Sequence, residues 1–322
     1  MPRIDVLVLD GASASAVGTT IDVVSAANRI LGAPAYDLRI VATEDHVKLR
    51  GALVASSAPL AQAKPRDVVI IPGLGGASAP EISQRLEAPD VAAARQWLRQ
   101  AYDDGSHIAA SCTAVFVLGA AGLLDRRRCV TTWWLGADLA ELVPTACVVI
   151  DEMVIHDAPI WTAGSSFAHI DLMLALLRHF AGPAVTDELA NRLVADQRTS
   201  QAAFLIPSHL AARDQDVAAL ESFIRAHLQE THTLDSMARR CGMSPRTLSR
   251  RTHKAAGLSP LQLVQRVRLQ RSLHLLRTSR MPLEQVAEAV GLADAATLHR
   301  LVKKHTGRAP GSLRPAVSNG SP

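Results

Sequence analysis

The apolar and polar positions of this chain follow two different rhythms. Up to about residue 180, short and mainly apolar runs recur, each closed by turn-forming residues. Positions 4–9, 37–43, 67–71 and 107–111 are runs of this kind, and the shorter stretches 147–150 and 160–163 resemble them. Between them, apolar residues recur at helical spacing over 18–31, 90–103, 113–121, 166–180 and 184–195. Strands without polar alternation are buried on both faces. Alternating with helices, they predict a mainly parallel sheet covered on both sides. Beyond residue 213 the strand pattern disappears and only the 3.6-residue period remains, predicting helices at 214–229, 245–255, 260–277 and 295–305. The stretch 198–213, which holds Pro207, reads as a linker between the halves.

The helical half repeats itself. Met237-Ala238-Arg239-Arg240-Cys241-Gly242-Met243-Ser244, followed by Leu248, Arg250, Gly257 and Pro260, returns as Val286-Ala287-Glu288-Ala289-Val290-Gly291-Leu292-Ala293, followed by Leu298, Arg300, Gly307 and Pro310. The offset is 49 residues up to the glycine and 50 from the leucine onward, so one residue is inserted in the second turn. A solenoid needs about three copies to bury a core, and two point elsewhere. Leu234, Met237 and Ala238 form one apolar face of a helix that Gly242 stops. Ser244 then caps the next helix, with Pro245 at its first position. In the second copy Pro282 opens the first helix and Asp294 is the cap of the next. Helix, glycine turn and second helix make a helix-turn-helix unit, whose second helix can enter a DNA major groove.

Charge adds to that reading. From Arg239 onward there are 16 Lys and Arg against 3 acidic residues, which leaves 18 basic and 27 acidic residues before it. The overall excess of +4 thus hides an acidic body joined to a basic C-terminal region, the footprint of a nucleic-acid partner. Arg246, Ser249, Arg250 and His253 share one face of helix 245–255, and Ala296, His299, Arg300 and Lys303 the matching face of helix 295–305. Arginine can read guanine bidentately, and Ser and His can reach base edges or phosphates, so these eight are the candidate DNA-binding residues. Helix 260–277, with Leu269, Leu273 and Leu276 on one side, would hold the two units on a rigid rod.

Over residues 233–314 the chain resembles the DNA-binding domain of the AraC/XylS family of bacterial transcription regulators. The resemblance rests on Ala238, Gly242-Met243-Ser244, Leu248, Arg250, Gly257-Leu258-Ser259-Pro260, Arg268-Leu269, Leu275-Leu276, Val286-Ala287, Gly291, Leu298, Arg300, Lys303, Gly307 and Pro310. Leu292, Thr252, Val302 and Leu263 stand where the family favours aromatic residues. Aliphatic repacking keeps that core apolar except at Thr252. The resemblance implies double-stranded promoter DNA and RNA polymerase as partners, and a homodimer.

In the N-terminal half the suggestive residue is Cys112, at a strand-to-helix turn of the kind on which nucleophiles are mounted. With Pro72-Gly73, Gly75-Gly76, Ala121-Gly122-Leu123-Leu124-Asp125 and Thr162-Ala163-Gly164, it makes residues 4–182 resemble the PfpI-like branch of the class I glutamine-amidotransferase-like superfamily. That implies a flavodoxin-like α/β sandwich, and the combination with an AraC-type domain resembles the GlxA-like regulators. Enzymes of the branch place histidine after the cysteine or in a Thr-His-Trp stretch, and an acid after strand one. Here those places hold Thr113, Trp133 and the turn Gly11–Val17, which has no carboxylate. No catalytic residue is therefore assigned. The expected site is a small-molecule effector pocket lined by Gly73, Gly75, Gly76, Cys112, Thr113, Trp133, Trp134, Ser165 and Ser166. The alternatives are an inert or redox-active Cys112, and a cysteine-dependent amidase or deglycase with a DNA-binding appendage.

The remaining features narrow the picture. Four cysteines (112, 129, 147 and 241) without Cys-x-x-Cys spacing, no signal-peptide pattern and no membrane-length apolar run suggest a cytoplasmic protein with reduced thiols. The pairs His227/His232 and His299/His305 do not fit metal-ligand spacing, so neither a metal nor a cofactor is expected. Asp171, inside an apolar helix, reads as a satisfied buried carboxylate. The expected division is a sensor and dimerisation domain over 1–197, a linker over 198–213, a DNA-binding domain over 214–316 and a disordered tail over 317–322.

Overall fold

The computed structural model describes residues 2–314; the expected tail 317–322, and residues 315–316 of the expected DNA-binding domain, lie outside the described residues. The chain divides into two compact units between Thr199 and Ser200. The first runs β1 (Arg3–Leu7), α1 (Ala14–Leu31), β2 (Asp37–Ala42), β3 (His46–Lys48), β4 (Val54–Ser56), β5 (Ala58–Pro59), β6 (Val68–Ile71), α2 (Ala79–Leu86), α3 (Pro89–Asp103) and β7 (His107–Ser111). It continues through α4 (Val115–Ala120), β8 (Arg128–Val130), α5 (Gly136–Leu142), β9 (Cys147–Val149), β10 (Val154–Asp157), β11 (Ile160–Ala163) and α6 (Ala168–Leu193).

Seven strands form the main sheet in the order β10-β11-β7-β6-β1-β2-β5, parallel throughout except for the β10–β11 pair. The order reverses between β1 and β6, where Ile4 pairs with Val68 on one side and Leu38 on the other. Successive residues of the apolar runs serve opposite faces. Leu7, Leu9, Val69 and Ile71 pack with Leu98 of α3, Leu118 of α4 and Leu139 of α5. Ile4, Val6, Val68 and Ile70 pack instead with Val23 and Val24 of α1 and Leu172, Met173 and Leu176 of α6. Both faces are covered, which is why the strands read as mainly apolar runs. The flavodoxin-like sandwich is the observed fold. The expected helices 166–180 and 184–195 form one element, α6, broken at Gly182 (φ 82°, ψ 172°) just before Pro183.

The second unit is helical: α7 (Pro207–Ala211), α8 (Gln215–Ala226), α9 (Leu234–Arg240), α10 (Pro245–Ala256), α11 (Pro260–Thr278), α12 (Leu283–Ala289) and α13 (Ala295–Thr306). Most of the stretch expected to be a linker, 198–213, is structured. A 3-10 turn spans Ala202–Phe204, and α7 buries Leu210 and Ala211. Pro207 begins that helix, at a position where proline is tolerated, instead of breaking the chain. Helix α11 runs through the middle of the unit with Leu269, Leu273 and Leu276 buried, as their spacing requires. Its first turn is closed by a reciprocal Ser259–Gln262 capping box.

Candidate functional site

The two helix-turn-helix units are built alike, with local differences. Ser244 Oγ accepts the Thr247 amide to start α10, and Asp294 accepts the Thr297 amide to start α13. That last bond holds the Asp294 carboxyl below its usual range. The inserted residue lies in the second turn, between Gly291 and Asp294. Each second helix buries one face and exposes the other. Leu248, Thr252, Ala255 and Ala256 of α10 are buried, while Arg246, Arg250 and His253 are exposed and Ser249 is half-buried. Leu298 and Val302 of α13 are buried, while Ala296, Arg300 and Lys303 are exposed and His299 is half-buried. All eight candidate residues thus lie on the outer faces that the spacing assigned to them. Arg300 is steadied by a hydrogen bond to Thr297 Oγ1 at 2.8 Å. Arg251 is not available as a reader. Its guanidinium donates to Asp214 at 2.7 and 2.8 Å and pairs with Asp216, tying α10 to the start of α8. The Arg251 contact in turn holds the Asp214 carboxyl below its ordinary range.

In the first unit the expected pocket residues gather at the C-terminal ends of β6, β7 and β11, beside the reversal in strand order. That crevice is where open α/β sheets bind ligands. Cys112 holds a left-handed backbone (φ 57°), a conformation that costs a residue with a Cβ about 1 kcal/mol or more. Its amide donates to the Gly164 carbonyl at 2.8 Å, and its carbonyl accepts from Thr131 Oγ1 at 2.7 Å. The Gly73 loop lies directly against it: a Cβ on Gly73 would sit 3.2 Å from Cys112 Cβ and 3.6 Å from Thr113 Oγ1. Ser166 Oγ lies 3.7 Å from the Cys112 thiol, and Ser165 Oγ 3.0 Å from Thr132 Oγ1. Trp133 meets Trp134 edge-on at 5.3 Å, and the Trp134 indole donates to the Ala77 carbonyl, just past Gly76.

The thiol's recorded hydrogen-bond partner is a hydroxyl, not an imidazole or a carboxylate. At the places where the enzymes carry histidine, Thr113 is buried with no hydrogen bond to its hydroxyl, and Trp133 is mostly buried. A nucleophilic thiol needs a base in reach, and this geometry supplies none there.

Arg50, His169 and the Arg198 partner of Asp171 lie outside the sequence reading. Arg50, on the β3–β4 hairpin, lays its guanidinium over the Gly75 backbone; a Cβ at Gly75 would come within 2.8 Å of it. The hairpin is fixed there by bonds from the Gly11 amide to Lys48 and from the Arg50 amide to Ala12. Beneath Cys112, the fully buried His169 spends both ring nitrogens, on Ser111 Oγ (2.8 Å) and Thr20 Oγ1 (2.7 Å), and burial pulls its pKa down to about 4. Asp171 is paired with Arg198, in keeping with its reading as a satisfied carboxylate. No local signal announces any of them, because the partners are separated by 25 to 149 residues.

Among the described residues no cluster of three metal-ligating side chains occurs, and no helix is long and apolar enough to cross a membrane. The four thiols are free: Cys112 and Cys129 are buried, Cys147 is exposed and Cys241 is half-buried.

Comparison with known proteins agrees with both halves. Residues 2–179 match the DJ-1/PfpI family and residues 237–316 a helix-turn-helix domain. The HTH-type transcriptional regulator GlxA of Rhizobium meliloti (strain 1021) is 30% identical over 70% of this chain and 70% of its own length. The HTH-type transcriptional regulator GbdR of Pseudomonas aeruginosa (strain UCBPP-PA14) is 25% identical over 68% of this chain and 60% of its own. A crystal structure of an AraC family transcriptional regulator from Pseudomonas putida shares the fold, with a TM-score of 0.50 and 21% identity over 59% of this chain and 98% of that one. The chain belongs to the DJ-1/PfpI family, in the form that carries an AraC-type helix-turn-helix domain at its C-terminus.

Proposed function

We propose that this protein is a sequence-specific, DNA-binding transcription regulator of the AraC type whose DJ-1/PfpI domain senses a small molecule and does not catalyse a reaction. The observation that carries the reading is the pair of exposed faces on α10 and α13. Arg246, Arg250, Arg300 and Lys303 point outward from helices whose opposite sides are buried. On this reading the arginines read bases, other basic side chains meet phosphates, and the protein acts as a homodimer that engages RNA polymerase at a promoter.

The effector site is the crevice at Cys112. Its walls carry hydroxyls of Thr113, Ser165 and Ser166, with the Arg50 guanidinium at the Gly75 loop. Such a lining suits a small polar molecule, neutral or anionic.

The left-handed backbone of Cys112 is the observation that favours an enzyme instead, since it is the posture of a mounted nucleophile. Two experiments separate the readings. In gel shifts with the full chain on duplex from upstream of its own coding region, affinity should fall roughly a thousandfold between about 50 and 200 mM salt. Retention of no such fragment would remove the regulatory assignment. Cys112→Ser should leave that affinity within about threefold. Amide hydrolysis or deglycation that depends on Cys112 would replace the sensor with an enzyme.

A further inference from the structure

The chain leaves the first unit at Thr199, and its last two residues are fastened to the neighbours of the Cys112 site. Arg198 donates its amide to Asp171 Oδ1 at 2.8 Å, and its guanidinium to Asp171 Oδ2 at 2.5 Å and to the Phe167 carbonyl at 2.6 Å. Phe167 directly follows Ser166, whose hydroxyl faces the Cys112 thiol. A second route runs through the backbone. The Thr199 carbonyl accepts the Met153 amide at 3.1 Å, the Met153 carbonyl accepts the Gly164 amide at 3.0 Å, and the Gly164 carbonyl accepts the Cys112 amide at 2.8 Å. Both routes begin at Cys112, pass through residues 164–167 and end on the two residues that lead into the DNA-binding unit.

We infer that Arg198 and Thr199 form a latch by which occupancy of the Cys112 site is passed to the DNA-binding unit. The inference rests on the sensing role proposed above and names its regulation. A ligand that bonds to the Cys112 thiol or the Ser166 hydroxyl must shift groups within one or two residues of the Gly164 and Phe167 carbonyls. Those carbonyls close both routes. The latch has an all-or-none character because Asp171 is fully buried. With Arg198 released, its carboxylate would be left buried without a charge partner, so a half-open arrangement is disfavoured. A staple that only tidied the end of the domain could sit anywhere on its surface. This one is tied to the residues flanking Ser165 and Ser166. By reciprocity, loosening Arg198 must also change the affinity of the site for its ligand.

The test uses the full chain with Cys147→Ser and Cys241→Ser, so that iodoacetamide addresses Cys112; burial pushes the Cys129 thiol up to about 12, which protects it. Carbamoylmethylation of Cys112 stands in for a ligand. It should speed amide hydrogen exchange at Arg198 and Met153 by about tenfold or more and shift duplex affinity by about fivefold or more. In Arg198→Ala, exchange at Met153 should be fast from the outset and the DNA affinity should no longer respond to modification. Arg198→Lys, which can keep the Asp171 pair but loses the fork to Phe167, serves should the alanine variant not fold. Complete modification by mass with unchanged exchange at both amides would overturn the latch, as would an equal affinity response in the Arg198 variants. A small molecule that shields Cys112 from iodoacetamide while exchange at Arg198 stays unaltered would sink the latch and leave the sensing role standing. An exchange response without any shielding molecule would support the latch and count against that role.

Discussion

The two helix-turn-helix units share a sequence pattern but are held by different forces. Where α10 has Arg251, ion-paired to Asp214 and Asp216, α13 has Leu301 packed against the apolar cluster around Leu273 and Leu298. Where α10 buries Thr252 with a hydroxyl that makes no hydrogen bond, α13 buries Val302. The turn glycines differ in the same sense. Gly242 (φ 62°) has open space where a Cβ would point, whereas a Cβ on Gly291 (φ 71°) would lie 2.0 Å from the Leu228 carbonyl oxygen. The first unit adds an ion-pair clamp to its buried apolar face and leaves a polar gap at Thr252, while the second is apolar at both of those places and crowded at its turn glycine. The repeat therefore keeps Arg250 and Arg300 at matching outward positions while the contacts that hold the two helices differ.

The sharpest way to break this comparison is at the glycines. Gly291→Ala must move backbone and should destabilise the second unit by about 3–4 kcal/mol, whereas Gly242→Ala should cost only the left-handed strain of about 1 kcal/mol. Thermal denaturation of the two variants reads the difference, and equal losses would mean that the turns are equivalent. Next come the readers. Arg250→Ala and Arg300→Ala should each weaken specific DNA binding by about 1–3 kcal/mol while leaving Tm nearly unchanged. The 19 residues of α11 span about 28 Å, which suits two recognition helices one DNA turn apart. Footprints of the two variants should then lose protection about ten base pairs apart. Loss over the same few bases would reduce the second unit to a structural support. The smallest effect is expected at Thr252→Val, which removes the orphan hydroxyl at constant volume. It should stabilise the protein by about 1 kcal/mol, and a lower Tm would show that the hydroxyl is satisfied in solution.

Long periodic or mainly apolar segments are legible in the sequence. Strands at 4–9, 37–43, 67–71 and 107–111 are mainly apolar, and the repeat announces both outward faces. The short strands β3, β4, β8 and β10 were not legible. Three or four residues of mixed polarity carry too little pattern to stand apart from loops, and their partners are set by tertiary pairing. Pro207 is ambiguous in the sequence because proline both ends elements and begins them, and only the burial of Leu210 and Ala211 decides which. At the pocket, the cysteine turn and the glycine loop were visible in sequence. Arg50, His169 and Arg198 were not, since each acts on a partner far along the chain that only the fold brings near.

The clamp on Arg251 also bears on how operator preference can be changed. Helix α10 shows three arginines in sequence, but one of them is committed to holding the helix in place. Selection experiments that randomise every basic position of α10 would spend much of their diversity on variants that loosen the scaffold. Confining variation to positions 246, 249, 250 and 253, with 296, 299, 300 and 303 of α13, keeps the search among residues on the outward faces. The same boundary marks where natural relatives can drift towards new target sites without first having to rebuild the support beneath them.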